Sequence, residues 1–191
     1  FVHNAAAAVD LNVAVAQAAS VTAPDGEPAT GDLYERDGRY YEYVVNGTTI
    51  TWSDAQTAAA SRELFGMTGY LATLTSSGEN TFVSDKVAAS DIWIGAGDPN
   101  TEGQWEWLTG PEAGDVFWQH TCVTDGDVDC GGVSGTSDYT PDADSSITAY
   151  SSWAEGEPNN ANSGAGGEDY AVTNWSGGSG EWNDLAGSHS V

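Results

Sequence analysis

The sequence contains very few basic residues. Four lysines and arginines stand against 29 aspartates and glutamates, which gives the 191-residue chain a formal net charge of -25. Such a surface repels phosphate groups, so nucleic acid and anionic membranes are excluded as partners. Cations remain the natural partners, and the acidic surface also suits a protein that stays soluble in a salty medium.

Cysteine is scarcer still. Cys122 and Cys130 are the two cysteines, and they stand in a polar segment without a CxxC pair or a Cys/His ligand set. This pattern argues against a zinc site. We expect one local disulfide that closes a loop, which indicates an oxidising, extracellular setting. Two free thiols are the alternative.

The sequence also lacks an apolar run of the roughly 20 residues that a membrane helix needs. Residues 1–31 are rich in alanine and then in proline and glycine, with apolar alternation at 9–15 that allows one strand. The start resembles a signal peptide only weakly, because it has no basic n-region and Asp10 interrupts it. We expect 1–31 to be a linker or the tail of a preceding module of a longer protein.

The helices are predicted early in the chain. The segment 52–66 has an amphipathic pattern, with Ser53 and Gln56 as a capping box and Gly66 as its end. A second helix is predicted at about 77–88, with Ser76 and Glu79 as its capping box.

The strands are short and mostly follow the helices. Strands are predicted at 39–45, 91–98, 103–110, 169–175 and 180–187. This order predicts an α+β domain with two helices, small antiparallel sheets and long loops. Its core is expected to contain Trp93, Trp105, Trp107 and Trp182, whereas Trp118, Trp153 and Trp175 lie in or near loops, where a ring could contact a ligand.

Oxygen-bearing side chains are concentrated in three segments of the second half. Calcium takes about 6–8 oxygen ligands from carboxylates, amides, carbonyls and water, so these segments are candidate calcium loops. The candidate residues are Asp98 and Glu102; Glu157, Asn159, Asn160, Glu168 and Asp169; and Asn183 and Asp184. The Glu157–Pro158 bond could be cis, which would bring Glu157 and Asn159 to one side, although Glu-Pro-Asn is also an ordinary turn.

Five motifs stand in the second half of the chain: "WIGA" (93–96), "TEGQWEWLTG" (101–110), "EPN" (157–159), "GED" (167–169) and "WND" (182–184). They occur in the order of a C-type lectin-like domain, and the chain resembles that family over about residues 33–191. The resemblance implies the C-type lectin-like fold for residues 32–191, with an insertion at 119–149 and the last strand truncated at Val191.

The resemblance also implies a ligand set for one or two calcium ions. Glu157, Asn159, Glu168, Asn183 and Asp184 match the family's principal site, and a sugar's two vicinal hydroxyls would complete the coordination of that ion. The carbohydrate-binding residues would be Glu157, Asn159, Glu168 and Asn183. A second, structural site is matched by Asp98, Glu102, Asn160, Glu168 and Asp169, and Asn160 stands where aspartate is more usual, which would weaken binding there.

The order Glu-Pro-Asn resembles the mannose-type version of the motif. That version suits equatorial vicinal diols such as those of mannose, glucose, N-acetylglucosamine or fucose. The sequence departs from the family where its conserved disulfides would stand, since Tyr170 and Gly187 occupy one pair of positions. Within the insertion, the aspartates of "DGDVD" at 125–129 alternate but lack the glycine and distal glutamate of a calcium loop.

Three functions compete. The first is calcium-dependent carbohydrate binding by a module of a secreted or cell-surface adhesin that contains other domains. The second is a protein- or ice-binding domain of this fold in which calcium is only structural. The third, a glycosidase with Glu157 and Glu168 as its acid pair, is disfavoured because carboxylates that bind calcium stay ionised. The histidines, His3, His120 and His189, are scattered, so we expect no enzyme activity.

Overall fold

The structure is a computed structural model that describes residues 2–4, 33–44, 49–86, 91–119, 147, 149–160, 167–177 and 180–191. Several predictions concern positions outside these residues. They are the Cys122–Cys130 disulfide, the acidic segment 125–129 and the strand at 9–15. Each of them stays a prediction.

Two α-helices, one short 3-10 helix (Trp175–Gly177) and three small antiparallel sheets form the described structure, which confirms the predicted α+β class. In chain order the elements are β1 (Val2–Asn4), β2 (Leu33–Arg36), β3 (Arg39–Glu42), α1 (Trp52–Ala60), β4 (Glu63–Leu64), β5 (Met67–Thr68), α2 (Ser77–Lys86), β6 (Ile92–Gly97), β7 (Gln104–Trp107), β8 (Val116–Gln119), β9 (Tyr170–Thr173) and β10 (Trp182–Leu185).

Helix α1 begins at Trp52, the first residue of the predicted segment, but its N-cap and its end differ from the prediction. Its N-cap is Thr51, whose hydroxyl accepts a hydrogen bond from the Asp54 amide at 3.3 Å, so the prediction of Ser53 as the cap was wrong. The helix ends at Ala60 instead of Gly66. The following residues form the β4–β5 hairpin, whose turn residues Phe65 and Gly66 have φ of 54° and 77°. These positive φ values are incompatible with a continued right-handed helix.

Helix α2 begins as predicted, but its glutamate makes different contacts. The Glu79 amide donates to the Ser76 hydroxyl at 3.2 Å. The Glu79 carboxylate accepts from the Thr75 amide at 2.8 Å, from the Arg39 guanidinium at 3.0 Å and from the Tyr41 hydroxyl at 2.5 Å. The side chain therefore both caps α2 and joins it to β3.

The largest sheet has the strand order β10-β9-β6-β7-β8, and all of its pairs are antiparallel. A second sheet has the order β1-β3-β2. β1, β2, β4, β5 and β8 were not predicted. The C-terminal residue Val191 exchanges two backbone hydrogen bonds with Ile50, at 2.9 and 3.3 Å.

The core is rich in tryptophan, as predicted. Trp93, Trp105, Trp107 and Trp182 are all buried, and Trp182 has no exposed surface. Trp182 packs edge to face against Trp107 and Trp153, with ring centroids 6.0 and 5.7 Å apart. The strand that carries Asn183 and Asp184 therefore begins at a fully buried core residue.

Candidate functional site

The two segments that carry most of the predicted ligands lie against each other. The Glu157–Pro158 peptide bond is cis. The amides of Asn159 and Asn160 donate to the two carboxylate oxygens of Asp184, at 3.0 and 2.7 Å. The structure thus brings the "EPN" loop to β10, as the sequence predicts.

Asn183 and Asp184 lie inside β10, opposite Val172 and Ala171 of β9. Both are buried, with 4% and 1% of their surface exposed. The side-chain nitrogen of Asn183 donates to the Asp184 carbonyl at 2.8 Å. This hydrogen bond orients the side-chain amide of Asn183 through its nitrogen and does not involve its oxygen.

Four predicted ligands have a buried oxygen that finds no hydrogen-bond partner among the described residues. These atoms are Asp98 Oδ1, Glu157 Oε2, Asn159 Oδ1 and Asn183 Oδ1. An unpaired buried acceptor is costly, and such groups in a native fold call for an explanation. All four are oxygens that accept hydrogen bonds or bind cations, so a hard cation fits this donor set.

The residues predicted for the second ion also share one neighbourhood. Asp98 follows β6; its Oδ2 accepts from the Gly103 amide at 2.8 Å, and its amide donates to the Asp169 carbonyl at 3.1 Å. The Asn160 amide oxygen accepts from the Glu168 amide at 2.8 Å. Asn160 also makes a side-chain hydrogen bond with Glu102.

Burial, reinforced at some positions by neighbouring carboxylates, raises the pKa values of several side chains in both sets. Burial, together with the neighbouring charges of Asp184 and Glu168, raises the pKa of Glu157 to about 8. Burial also raises the pKa of Asp98 to about 8, against the hydrogen bond from Gly103. The pKa of Asp184 is raised to about 6, again by burial, although the amides of residues 159 and 160 oppose the shift.

Glu102 and Asp169 follow the same trend. Burial raises the pKa of both side chains, and at Glu102 the charges of Asp169 and Asp184 add to the effect. A cation placed among these groups would reverse the trend by favouring their ionised forms.

The four lysines and arginines of the chain make their contacts elsewhere. Arg39 pairs with Glu79 and Glu112, and Arg62 pairs with Glu42. Arg36 pairs with Asp37, and Lys86 lies over the rings of Tyr34 and Phe82. The carboxylate cluster therefore has no lysine or arginine as a counterion.

Carboxylates alone do not form a metal site in the described part of the chain. No three histidine, cysteine, aspartate or glutamate side chains there converge closely enough to hold an ion by themselves. An ion would therefore also need amide oxygens. The unpaired oxygens of Asn159 and Asn183 can supply them.

Sequence reasoning missed Asn80, a buried residue of α2 that contacts the segment preceding β10. The available signal was an asparagine in the second turn of a predicted helix, where it is unfavourable unless its side chain is used.

A cavity among the described residues is separate from this site. It has a volume of about 710 Å³ and lies between α1, α2, β3 and β6, with Val191 at its wall. None of the nine predicted site residues lines it. In the described part of the chain, no helix is long and apolar enough to cross a bilayer.

Comparison with known proteins gives a family match. The family model described as "Lectin C-type domain" matches residues 48–145, a span that includes Asp98 and Glu102 and ends before Glu157. Halomucin of Haloquadratum walsbyi is 38% identical over 137 residues; the match covers 72% of this chain and 1% of that protein. A perlucin-like protein of Mytilus galloprovincialis is 28% identical over 176 residues, with 90% and 82% covered.

The fold is also similar to solved structures. The structure of an EPNH mutant of CEL-I, a C-type lectin from Cucumaria echinata, superposes with a TM-score of 0.55 at 21% identity. The superposition covers 83% of this chain and 89% of that one. This likeness confirms the predicted fold.

Proposed function

This chain belongs to the lectin C-type domain family, and from that premise we propose that it is a calcium-dependent carbohydrate-binding module. Membership in this family supports carbohydrate binding in general and agrees with the expectation that the chain is not an enzyme. The proposal goes further in naming the ion, the residues and the sugar class.

The observation that carries the proposal is the set of unpaired buried oxygens. Glu157, Asn159 and Asn183 each keep one such oxygen, and all three belong to the predicted principal site. A fold that served only as a scaffold could pair or expose these atoms. Their burial without donors is best explained by a ligand that supplies positive charge.

In this proposal, the ion is held by Glu157, Asn159, Glu168, Asn183 and Asp184. A bound calcium ion would offer two coordination positions to vicinal hydroxyl groups of a sugar. The carboxylates of Glu157 and Glu168 would accept hydrogen bonds from those hydroxyls, and the amides of Asn159 and Asn183 would donate to them. Asp184 would also hold the loop in place through its bonds to residues 159 and 160.

A second ion is proposed at the neighbouring group of side chains. It would be held by Asp98, Glu102, Asn160, Glu168 and Asp169. The unpaired Oδ1 of Asp98 is the atom that favours it. This ion would order the loops and would not touch the sugar.

The sugar class and the setting follow from the sequence. The Glu-Pro-Asn order supports ligands with equatorial vicinal diols, such as mannose, glucose, N-acetylglucosamine or fucose. We propose an extracellular or cell-surface adhesin as the parent protein, with residues 32–191 as the binding domain and residues 1–31 as a linker whose strand β1 pairs with β3. A single site of this kind would bind weakly, so adhesion would depend on repeated modules.

Glu157→Gln tests the proposal, with Glu155→Gln as its control. Both changes remove one carboxylate from the same loop without altering side-chain size, but Glu155 is exposed. We expect Glu157→Gln to weaken calcium binding and methyl mannoside binding together by at least about tenfold, because one charged ligand is lost. Glu155→Gln should change neither by more than about twofold.

Calorimetric titration of calcium, and then of the sugar in calcium, measures both effects. A wild-type chain that binds calcium but no sugar would contradict carbohydrate binding and favour a protein- or ice-binding domain. Equal effects of the two variants would contradict the assignment of Glu157.

A further inference from the structure

Asn80 joins α2 to two distant parts of the chain. Its side-chain oxygen accepts a hydrogen bond from the indole nitrogen of Trp182 at 2.8 Å. Its side-chain nitrogen donates to the Gly180 carbonyl at 2.8 Å and to the Ser152 hydroxyl at 3.3 Å. Asn80 is only 4% exposed, so every polar atom of its side chain is used inside the protein.

The two segments that Asn80 contacts are paired with each other. Trp182 forms a parallel bridge with Trp153. The Trp182 amide donates to the Ser152 carbonyl at 2.8 Å, and the Ala154 amide donates to the Trp182 carbonyl at 2.9 Å. Asn80 therefore lies at the point where these segments are brought into register.

Each of these segments leads directly into one half of the candidate site. The Glu157 amide donates to the Ala154 carbonyl at 3.0 Å, so Glu157 and Asn159 follow the first segment. Asn183 and Asp184 follow Trp182 in the second. The register between the segments therefore sets how the two pairs of side chains face each other.

An amide suits this position better than other side chains of similar size. Aspartate would lose the donors to Gly180 and Ser152, and leucine would lose the acceptor as well. A Cβ at Gly180 would stand 2.6 Å from the Asn80 side-chain nitrogen, so the close approach also requires glycine there. Replacing Asn80 would leave the fully buried indole of Trp182 without its hydrogen-bond acceptor.

We propose that Asn80 is a positioning residue that holds the segments 152–154 and 180–182 in register and thereby sets the affinity of the calcium site. The effect on calcium rests on the proposed function. The effect on the geometry of residues 157–160 does not.

Two measurements on Asn80→Leu separate these effects. The first is hydrogen exchange of the Asn159 and Asn160 amides, which donate to Asp184 across the two segments. The second is the calcium dissociation constant. We expect about tenfold faster exchange at both amides, unchanged exchange in the β4–β5 hairpin, and about tenfold weaker calcium binding. The reason is that Asn80 loses its two buried hydrogen bonds, to Trp182 and Gly180, and a weaker one to Ser152.

Tyr41→Phe is the matched control. It removes one buried hydrogen bond, from Tyr41 to Glu79, beside Asn80 on the same helix. A general loss of stability should affect both variants, whereas a loss of register should affect only Asn80→Leu. All measurements are made at a temperature at which both variants are folded.

The outcomes are distinct. If the wild type binds calcium and Asn80→Leu matches Tyr41→Phe in affinity and in exchange at residues 159 and 160, the proposal is overturned. If the wild type binds no calcium, the proposed function fails, and the exchange rates alone then decide whether Asn80 positions the loop. If Asn80→Leu does not fold, Asn80→Asp, which keeps the acceptor for Trp182 and loses the donors to Gly180 and Ser152, replaces it and is expected to shift both readouts in the same direction.

Discussion

Calcium affinity should depend steeply on pH, because protons and calcium compete for the same carboxylates. Burial and neighbouring charge raise the pKa of Glu157 to about 8 in the calcium-free protein. At neutral pH this side chain therefore carries a proton, which must leave before the carboxylate can bind an ion. Calcium affinity should therefore rise with pH up to about pH 8 and fall as the pH is lowered from there.

The size of the effect follows from that pKa. For one proton displaced from a group with a pKa near 8, the apparent dissociation constant rises about tenfold for each pH unit below 8. Between pH 8 and pH 6 this amounts to about fiftyfold, since half of Glu157 is already protonated at pH 8. Asp98, whose pKa is also raised to about 8, should act in the same way on the second ion.

Calorimetry in two buffers of different ionisation enthalpy measures both the affinity and the number of protons released. At pH 7 the principal site should release about one proton per ion from Glu157. In Glu157→Gln this proton release should disappear, although binding is weaker. An affinity that stays constant from pH 6 to pH 8 with no proton release would refute the reasoning.

Three further predictions concern stability. Calcium at about 100 times its dissociation constant should stabilise the fold by about 2.7 kcal/mol and raise the melting temperature by about 5–10 °C, whereas magnesium should have little effect, as thermal unfolding can show. In chelator, the free energy of unfolding should fall as the pH rises from about 4 to about 8. The reason is that folding raises the pKa of Asp98 from 3.8 to about 8, so the folded state binds a proton that the unfolded state has released. Urea unfolding at pH 5 and pH 8 measures this, and a higher stability at pH 8 would contradict it. Arg39→Met should cost about 3 kcal/mol in urea unfolding, because Glu79 and Glu112 lose their cationic partner. Calcium affinity should stay within about twofold, and a larger loss would contradict separate roles for Arg39 and the calcium site.

The strands of the largest sheet are predicted best where large apolar side chains stand next to turn residues. Ile92–Gly97 and Trp182–Leu185 are recognisable because they combine large apolar side chains with flanking turn residues. β2, Leu33–Arg36, was missed because it has only four residues and is stabilised by pairing with β3. The local pattern of apolar and polar residues contains no information about that pairing.

The error in α1 has a similar cause. The segment 61–66 contains residues that are compatible with a helix, and Gly66 is a plausible helix end. The β4–β5 hairpin forms there because Glu63 and Leu64 pair with Thr68 and Met67 around a tight turn. The choice between a longer helix and a hairpin depends on that pairing and on contacts with the rest of the domain, which propensity does not contain.

The residues of the candidate site could be selected from the sequence, but the hydrogen bonds that hold them in place could not. The motif order is enough to select Glu157, Asn159, Asn183 and Asp184. Nothing in the sequence indicates that Asp184 accepts the amides of residues 159 and 160. The role of Asn80 is equally hidden, because its partners lie 72 to 102 residues further along the chain.

The most direct test of the central claim is binding of the chain to an array of glycans in calcium, in excess chelator, and again after calcium is restored. The proposed function predicts binding to glycans with mannose-, glucose-, N-acetylglucosamine- or fucose-type diols, its loss in chelator and its return with calcium. No binding by a folded, calcium-loaded chain, or binding that persists in chelator, would contradict it.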